Sequence, residues 1–497
     1  MKKQEQTKAA ASENTAEKDA ELGLKLDGKT MLTITGLLVA ILIFVGVLTQ
    51  VLPRGEYATE TIDGHESIVS GSYEENPDYK LPIWKIALSP ILCFTSSQAT
   101  TGIGIILIIF FIGGSFLILD KVGVLKYIMA TLIRRFQNRK YLLMGVIIFV
   151  CMLLSSTAGI LEESLTLVPI AVAISLALGW DSLVGLGISL VSVAWGFTAA
   201  TFNPFNVVTV QKLAGLQVFS GLWLRVLIFI AVYAVLYLFL FLYARRVEAH
   251  PERSLTYESD RALREKYTIR DLDAVLADQK VRKGMYAFLI CMGADLLFIL
   301  LDFVLEMGGM LSLPAMAVLF TTGGLIAGYV TDLRGKKLIL TFLQGAKAIA
   351  PAIPLIVFVL AISYVLNEGK IMHTILFNVY NVMQGMSPFA AIFLLFLVIA
   401  ALEFFIGSGT AKAFLIMPLV APLSDLVGIT RQSVVTTFCL ADGFTNLLYP
   451  TSGIMIIAIG LVGVSYGKWL RWSWKLFAAE FALSAGVMLL MVAINYR

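Results

Sequence analysis

Two polar stretches interrupt apolar segments of the sequence, and both contain ionisable side chains. Residues 155–164 read Ser-Ser-Thr-Ala-Gly-Ile-Leu-Glu-Glu-Ser, and residues 403–412 read Glu-Phe-Phe-Ile-Gly-Ser-Gly-Thr-Ala-Lys. A charge at the centre of a membrane helix costs roughly 2.5–3.5 kcal/mol on insertion scales, so ionisable residues in such segments are functional by default. The ionisable residues of both stretches are therefore candidate binding groups.

A second polar stretch, which contains a proline, follows each of these. Residues 198–206 contain Pro204, and residues 442–453 contain Pro450. Proline removes a backbone donor and disfavours helix in the residue before it, so both stretches are predicted to be the unwound middles of discontinuous helices. Such breaks expose amides and carbonyls that coordinate an anion or a dehydrated cation.

Together the four stretches predict one composite binding site, with no catalytic or metal-binding residue. Its candidate substrate- or ion-binding residues are Ser156, Thr157, Gly159, Glu162, Glu163, Thr198, Thr201, Asn203, Asn206, Gly407, Ser408, Gly409, Thr410, Lys412, Asp442, Thr445, Asn446, Thr451 and Ser452. Two other interpretations stay open. Glu162 or Glu163 could instead pair with Lys412 or cap a helix, and the asparagines could satisfy backbone groups that the breaks set free.

The charge of this site favours an amino acid as the substrate. Glu162, Glu163, Glu403 and Asp442 against Lys412 give a net charge of −3 if all are ionised, four negatives and one positive. A dianion would meet that field unfavourably unless sodium ions or protons neutralised it. A zwitterionic or cationic amino acid would not, and Lys412 or a helix N-terminus could hold its carboxylate.

The elements that carry these stretches are predicted to be membrane helices. The 497 residues are 58% hydrophobic and 14% charged, whereas soluble proteins average about 45–50% apolar and about 25% charged residues. Apolar runs of about 18 or more residues are long enough to cross a bilayer as helices. Such runs occupy residues 31–52, 102–119, 226–243, 284–305, 348–366 and 476–494. The predicted fold class is an all-α polytopic membrane protein, with the lipid bilayer as its partner.

Several other classes of function fit the sequence poorly. The net charge is only +4 and the Lys and Arg residues form no basic groove with interleaved aromatics, so nucleic acid is not an expected partner. Residues 407–412 lack the GxxxxGK[ST] spacing of an ATP-binding loop, and Ser408 has no histidine nearby to act as a base. No enzyme activity and no cofactor are expected. A channel stays an alternative, although two hairpins and two broken helices suit alternating access better.

The loop charges predict the topology. Residues 120–140 hold six basic residues and one acid, whereas residues 53–82 hold two basic residues and seven acids. By the positive-inside rule the first loop is cytoplasmic and the second is outside, which places the N-terminus inside and the C-terminus outside. The predicted organisation is a disordered cytoplasmic tail at 1–30, membrane halves at 31–244 and 284–497, and a charged cytoplasmic linker at 245–283.

The two halves share a spaced motif. Pro169 is followed ten residues later by Gly179, and Pro418 is followed ten residues later by Gly428. A Gly-Phe-Thr sequence and then a second proline follow in each half. With the predicted topology the two copies start from opposite sides of the membrane, which is the inverted repeat of transporters that bind substrate near the midplane.

Each copy also predicts a re-entrant hairpin with a polar tip. The apolar arms on both sides of each polar tip are too short for two full spans, and non-helical backbone at that depth must be covered by protein or line a cavity. The hairpins are predicted near residues 141–178, on the cytoplasmic side, and near residues 388–426, on the outer side.

These motifs resemble those of the C4-dicarboxylate anaerobic carrier family of the ion transporter superfamily, in its DcuC/YfcC-like branch. The matching stretches are residues 52–57, 159–169, 179–182, 196–206, 407–418 and 442–452. They span nearly the whole hydrophobic chain and are specific in combination. The sequence departs from the family pattern in its long polar N-terminus and in Phe404-Phe405-Ile406, where a proline is expected.

The resemblance implies a secondary transporter in the plasma membrane of a prokaryote. It implies inverted repeats with two hairpins and two discontinuous helices, a homodimer, and an elevator-like shift of a transport domain against a scaffold. The branch resembles both dicarboxylate carriers and exchangers of amino acids such as arginine and ornithine. The charge of the site favours an amino acid, with Na+ or H+ as the coupling ion and a C4-dicarboxylate as the alternative substrate.

Overall fold

The computed structural model of the chain describes residues 28–52, 55–62, 65–76, 80–96, 99–136, 139–267, 271–305, 312–350 and 353–497. Nearly all of the predicted cytoplasmic tail lies outside these residues, as do Pro53 and Arg54 of the first family motif.

Helices dominate the described part of both halves. The first half contains α1 (Gly28–Val51), α2 (Ile83–Ala87), α3 (Ser89–Leu92), α4 (Ala99–Lys121), α5 (Val124–Phe136), α6 (Lys140–Ala158), α7 (Ser164–Ala177), α8 (Ser182–Leu186), α9 (Ser192–Thr198), α10 (Thr209–Leu213) and α11 (Leu222–Ala249). The linker contains α12 (Tyr257–Tyr267) and α13 (Leu272–Ala277). The second half contains α14 (Gln279–Val304), α15 (Ser312–Val330), α16 (Lys336–Ile349), α17 (Ile353–Gly369), α18 (Ile371–Met383), α19 (Pro388–Glu403), α20 (Gly409–Leu426), α21 (Arg431–Thr445), α22 (Gly453–Leu461) and α23 (Tyr466–Ala493).

Shorter elements complete the chain. Two π-helical segments, Gly187–Val191 and Pro204–Val208, continue α8 into α9 and lead into α10, and short 3-10 turns form at Cys93–Thr95 and Pro251–Arg253. Four strands lie in the segment predicted to be outside: β1 (Gly55–Glu56) pairs antiparallel with β4 (Glu74–Glu75), and β2 (Thr59–Ile62) pairs antiparallel with β3 (His65–Ile68).

The length and apolar character of the helices match a membrane protein. Within the described residues, α6, α11 and α23 are each long and apolar enough to cross a bilayer, and a fourth span results if α16 and α17, bent by 46°, count as one. The apolar run predicted at 348–366 therefore crosses a bend. In the first predicted hairpin, α6 has 19 residues, enough for a span, whereas α7 has only 14, so the two arms together do not make two full spans. The re-entrant hairpins themselves stay a prediction.

The second half repeats the element order of the first. Each half has a helix, a polar tip, a second helix, a discontinuous helix and a long terminal helix: α6, α7, α8 to α10 and α11 correspond to α19, α20, α21 to α22 and α23. The two long terminal helices, α11 and α23, are both 28 residues long. We call these elements of both halves the core body.

The core body is held together by contacts between the halves. Helix α9 crosses α21, α10 contacts α20, and α11 contacts α23. The remaining long helices form a second group, in which α4 contacts α15 and α16, α14 contacts α15, and α1 contacts α17. We call this second group the scaffold.

Candidate functional site

The first polar tip, residues 159–163, turns tightly against the first break. Helix α6 ends at Ala158, and Gly159 adopts the left-handed conformation with φ of +77°. A side chain at this position would place its Cβ 2.7 Å from Oδ1 of Asn203. Only glycine therefore fits both the turn and the close approach of the break.

The end of α6 satisfies the backbone that the first break sets free. The backbone N–H groups of Thr201 and Phe202 donate to the carbonyl oxygen of Ser156 over 2.9 and 3.1 Å. The Ser156 hydroxyl donates to the carbonyl of Ala199 over 2.7 Å and lies 3.0 Å from the Thr201 hydroxyl. Ser156 and Thr201 thus hold the shape of the site.

The two glutamates of the first tip differ in burial. Glu163 is buried and its Oε2 accepts a hydrogen bond from the backbone N–H of Leu161 over 3.1 Å, while Glu162 is half-buried. Thr157 donates back to the carbonyl of Leu153 over 2.7 Å, within its own helix. Oε2 of Glu163 therefore accepts a hydrogen bond within its own tip, consistent with the interpretation of a capping role.

The second polar tip, residues 404–408, is more open. Gly407 and Ser408 are exposed, and the Ser408 hydroxyl caps α20 by accepting from the backbone N–H of Ala411 over 3.3 Å. A Cβ at Gly409 would lie 2.7 Å from Oδ2 of Asp442. The first turn of α20 is thus pressed against the Asp442 carboxylate.

Three charged side chains from three helices meet behind this tip. Lys412 of α20 forms ion pairs with Glu403 at the end of α19 and with Asp442 of α21, the latter over 2.5 Å. All three residues are buried, and Lys412 is 0% exposed. With all three ionised, this charged triad carries a net charge of −1, two negatives and one positive.

The triad retains unused capacity to bind a cation. The ammonium group of Lys412 lies 2.5 Å from Oδ1 of Asp442. The other carboxylate oxygen, Oδ2, has no hydrogen-bond partner among the described residues. An ionised carboxylate can accept about four hydrogen bonds. A ligand with several N–H donors would therefore find open acceptors here.

The first turn of α20, next to the second tip, contacts the π-helical segment that follows the first break. The Thr410 hydroxyl donates to the carbonyl oxygen of Phe205 over 3.0 Å. The ring of Phe205 in turn lies against Gly159 of the first tip. The structure thus brings both tips to one place, with Phe205 between them.

Several other predicted site residues serve the backbone. The hydroxyls of Thr198 and Thr445 donate within their own helices, to Ala194 and Ala441 over 3.1 and 2.6 Å. The side-chain amides do the same: Asn203 donates to Ser155, Asn206 to Phe197 and Asn446 to Asp442 over 3.2, 3.2 and 2.8 Å. Ser452 caps α22, while the buried Thr451 hydroxyl has no hydrogen-bond partner among the described residues.

The breaks are shorter than the sequence predicts. Asp442 lies inside α21, whose last residue is Thr445, and the second break occupies residues 446–452. The helix ends there because Pro450 cannot donate to the carbonyl four residues before it, that of Asn446. The first break likewise occupies only residues 199–203, and Asn206 belongs to a π-helical turn.

Sequence reasoning missed two buried charged residues in the core body, Arg225 of α11 and Glu480 of α23. Both are at most 1% exposed. Arg225 is close to the end of an apolar run, where a long basic side chain commonly extends to the membrane surface. Its position in an apolar helix was the signal that could have singled it out.

Comparison with known proteins agrees with the motifs. Residues 31–493 match the model of the C4-dicarboxylate anaerobic carrier family. The chain is 30% identical over 407 residues to the "Putative basic amino acid antiporter YfcC" of Escherichia coli (strain K12), covering 80% of this chain and 78% of that protein. It is 25% identical over 393 residues to an uncharacterised protein of Haemophilus influenzae, covering 79% of this chain and 76% of that protein.

Two solved transporters resemble the chain at a greater distance. They are the YdaH transporter of Alcanivorax borkumensis, with 94% of this chain and 99% of that chain covered, and MtrF of Neisseria gonorrhoeae, with 91% and 94% covered. Both are 15% identical and give a TM-score of 0.42, a likeness that carries no argument about the site. The match along nearly the whole chain decides the assignment: the protein belongs to the C4-dicarboxylate anaerobic carrier family and is a membrane transport protein.

Proposed function

We propose that the protein is a secondary exchanger of basic amino acids, such as arginine and ornithine. The observation that carries this proposal is the buried charged triad, in which Glu403 and Asp442 share the single ammonium group of Lys412. Its net negative charge attracts a cationic side chain and repels a dianion. A substrate guanidinium group would match these carboxylates with several parallel N–H donors.

In this mechanism the substrate competes with Lys412 for the two carboxylates. Leaving buried carboxylates without a cation is strongly unfavourable. Lys412 therefore holds the carboxylates when substrate is absent, and the substrate's cationic group takes its place on binding. Movement of the tip at Ser408 would open the path, because this tip is exposed while the triad behind it is buried.

The relative from Escherichia coli supports the same class of substrate. Its name describes a basic amino acid antiporter, and it is 30% identical to this chain over 407 residues. The family description instead refers to C4-dicarboxylates, which makes a dicarboxylate carrier the second candidate. In that case sodium ions or protons would have to neutralise the carboxylates of the triad.

The contacts of the core body support alternating access through an inverted repeat. Strand β3, in the segment predicted to be outside, contacts α20, while the linker helix α12 contacts α7. The two tip-bearing helices therefore face opposite predicted sides. We propose that the core body moves against the scaffold in an elevator-like shift and that the protein is a homodimer. Where net transport occurs, we propose Na+ or H+ as the coupling ion.

Transport by purified protein in liposomes tests the substrate. Vesicles loaded with ornithine, succinate or buffer receive labelled arginine or succinate outside, each with and without imposed sodium and proton gradients. We expect labelled arginine to enter vesicles that contain ornithine. If the vesicles instead take up succinate but not arginine, driven by a sodium or proton gradient, the protein is a dicarboxylate carrier and not a basic amino acid exchanger.

A further inference from the structure

Arg225, which the mechanism above does not use, is a buried cation in the core body. It is 1% exposed, and none of its three side-chain nitrogens has a hydrogen-bond partner among the described residues. A guanidinium group has five N–H donors and stays charged in proteins. A buried guanidinium group without partners is unfavourable, so this arginine needs an anion or several hydrogen-bond acceptors.

The guanidinium group faces the first break and α21. It lines a gap with Thr198, Ala199 and Ala200 on one side and with Thr436 and Cys439 on the other. The hydroxyl of Thr436 is also buried and has no hydrogen-bond partner among the described residues. Two buried residues with unused hydrogen-bond donors therefore line the same gap.

The second half shows what a purely structural residue does at this position. Arg225 is the fourth residue of α11, and Trp469 is the fourth residue of the corresponding helix α23. The indole N–H of Trp469 donates to the carbonyl of Leu447 in the second break over 2.9 Å. A neutral donor is thus enough to serve a break, so the charge of Arg225 calls for another explanation.

The gap lies next to the charged triad. Cys439 precedes Asp442 by three residues along α21, so these two side chains are neighbours on that helix, and Thr436 is three residues further back. Each step advances by about 4.5 Å along a helix that rises about 1.5 Å per residue. The gap that Arg225 lines therefore begins at Cys439, about one helical turn from Asp442.

We propose that Arg225 binds the carboxylate of the transported substrate, while Glu403 and Asp442 bind its cationic end. This assignment rests on the proposed function, and it specifies that the substrate must carry both groups. The gap has no room for a water molecule in this conformation. The carboxylate consequently reaches Arg225 only after the first break and α21 move apart, as part of the transport cycle.

The test compares arginine with agmatine, which is arginine without its carboxyl group, as competitors of arginine exchange in liposomes. The wild-type protein should bind agmatine about tenfold to a hundredfold more weakly than arginine, the effect of losing hydrogen bonds to a charged group. In Arg225→Gln the affinity for arginine should fall by a similar factor while that for agmatine stays, so that the discrimination disappears. Arg225→Lys should keep part of the preference for arginine over agmatine.

A matched control is Arg246→Gln, the same change on the exposed face of the same helix, which should leave both affinities unchanged. Equal losses for arginine and agmatine in Arg225→Gln would show a structural role and overturn the inference. Should Arg225→Gln fail to fold, equal wild-type affinities for the two compounds would overturn it as well. If the wild type carries succinate and not arginine, the proposed function fails separately, and an unchanged succinate affinity in Arg225→Gln would still refute the role of Arg225.

Discussion

Lys412 is the residue on which the account of the site depends most. It is buried in a transport protein between two carboxylates, and its pairing with Asp442 leaves Oδ2 of that carboxylate without a hydrogen-bond partner among the described residues. A buried ion pair is weak evidence for stability, because desolvation offsets much of the attraction. We infer that the triad is kept for the exchange of one cation for another.

Asp442→Asn should weaken the binding of arginine. The change keeps the volume but removes one negative charge from the triad, so the affinity should fall about tenfold to a hundredfold, or roughly 1.5–3 kcal/mol. Calorimetry of purified protein in detergent measures it. Asp425→Asn is the control, because this half-exposed carboxylate pairs with Arg431 at the end of α20, away from the triad. Unchanged affinity in Asp442→Asn would remove the triad from the site.

Glu163→Gln tests whether the first tip contributes to substrate selection. If Glu163 attracts the cationic group, binding of arginine should weaken by an amount on the order of 1–3 kcal/mol. If it binds the coupling ion, uptake should instead change its dependence on sodium concentration or pH. Uptake by the variant across both conditions separates the cases, and wild-type behaviour throughout would make Glu163 a structural residue of its tip.

At this scale the sequence predicted the charged residues better than their partners. Lys412 and Asp442 were recognisable because each interrupts an apolar segment. The ion pairs of Lys412 with Glu403 and Asp442 depend on how three successive helices pack against one another, which no local pattern reveals. Arg225 was missed because a basic residue near a helix end resembles an interfacial anchor.

Among the elements, α9 and α21 approach each other very closely where they cross. A Cβ added at Gly443 would collide with the backbone and the hydroxyl of Thr198. Gly443 and Thr198 both belong to the Gly-Phe-Thr motif that the two halves share. Packing at this crossing therefore explains one residue in each copy of the motif, Thr198 in the first and Gly443 in the second.

Gly443→Ala should destabilise the protein by about 1–3 kcal/mol, the usual cost of overpacking a core. Gly486→Ala is the matched control, since a Cβ there meets nothing within 4 Å in the middle of α23. That control should melt at the same temperature or slightly higher, because alanine favours helix. Thermal unfolding in detergent compares the two variants, and an unshifted transition for Gly443→Ala would contradict the crossing.

The linker, which is predicted to be cytoplasmic, is bound to the start of the first discontinuous helix. Asp260 of α12 accepts hydrogen bonds from the backbone N–H of Ser182 over 2.9 Å, from the Ser182 hydroxyl over 2.5 Å and from the Thr256 hydroxyl over 2.7 Å. Burial raises the pKa of Asp260 to about 6; these hydrogen bonds oppose the shift, and the nearby Asp181 adds to it.

This raised pKa predicts that linker helix α12 binds more tightly to the start of the first discontinuous helix at acidic pH. The docked carboxyl holds its proton more strongly than a free one with a pKa of about 3.9, so docking is strongest below pH 4 and weakens as the pH rises to about 6. Hydrogen-exchange protection of α12, corrected for intrinsic rates, should be higher at pH 5 than at pH 7. Asp260→Asn should flatten this dependence; equal protection of the wild type at both values would contradict it.

The sequence predicted the elements well and their ends less well. The shared Pro, Gly and Gly-Phe-Thr spacing located both tips and both breaks, because proline and glycine act locally on the backbone. The extent of each break was overestimated, since tertiary hydrogen bonds such as those from Thr201 and Phe202 to Ser156 allow the helices to continue closer to the prolines.

For the whole molecule, the match along nearly the whole chain confirms the predicted family, while the membrane orientation stays a prediction. In the predicted orientation, the tip at Gly159 is accessible from the cytoplasm and the tip at Gly407 is accessible from outside. With the four native cysteines replaced, Ser408→Cys should react with a membrane-impermeant reagent in intact cells. Glu162→Cys should react only in inverted vesicles. Reaction of both from the same side would contradict the inverted repeat.

The most direct test asks whether the protein exchanges one basic amino acid for another across a membrane. Liposomes containing the protein and labelled arginine are diluted into buffer alone, or into buffer with ornithine or with succinate, at clamped membrane potential. We predict rapid efflux of arginine with ornithine outside and slow efflux in the other two cases. The binding site should return to the inside of the vesicle most readily when a cationic substrate occupies the carboxylates of the triad. Efflux that is equally fast into buffer alone, or that requires succinate, would contradict it.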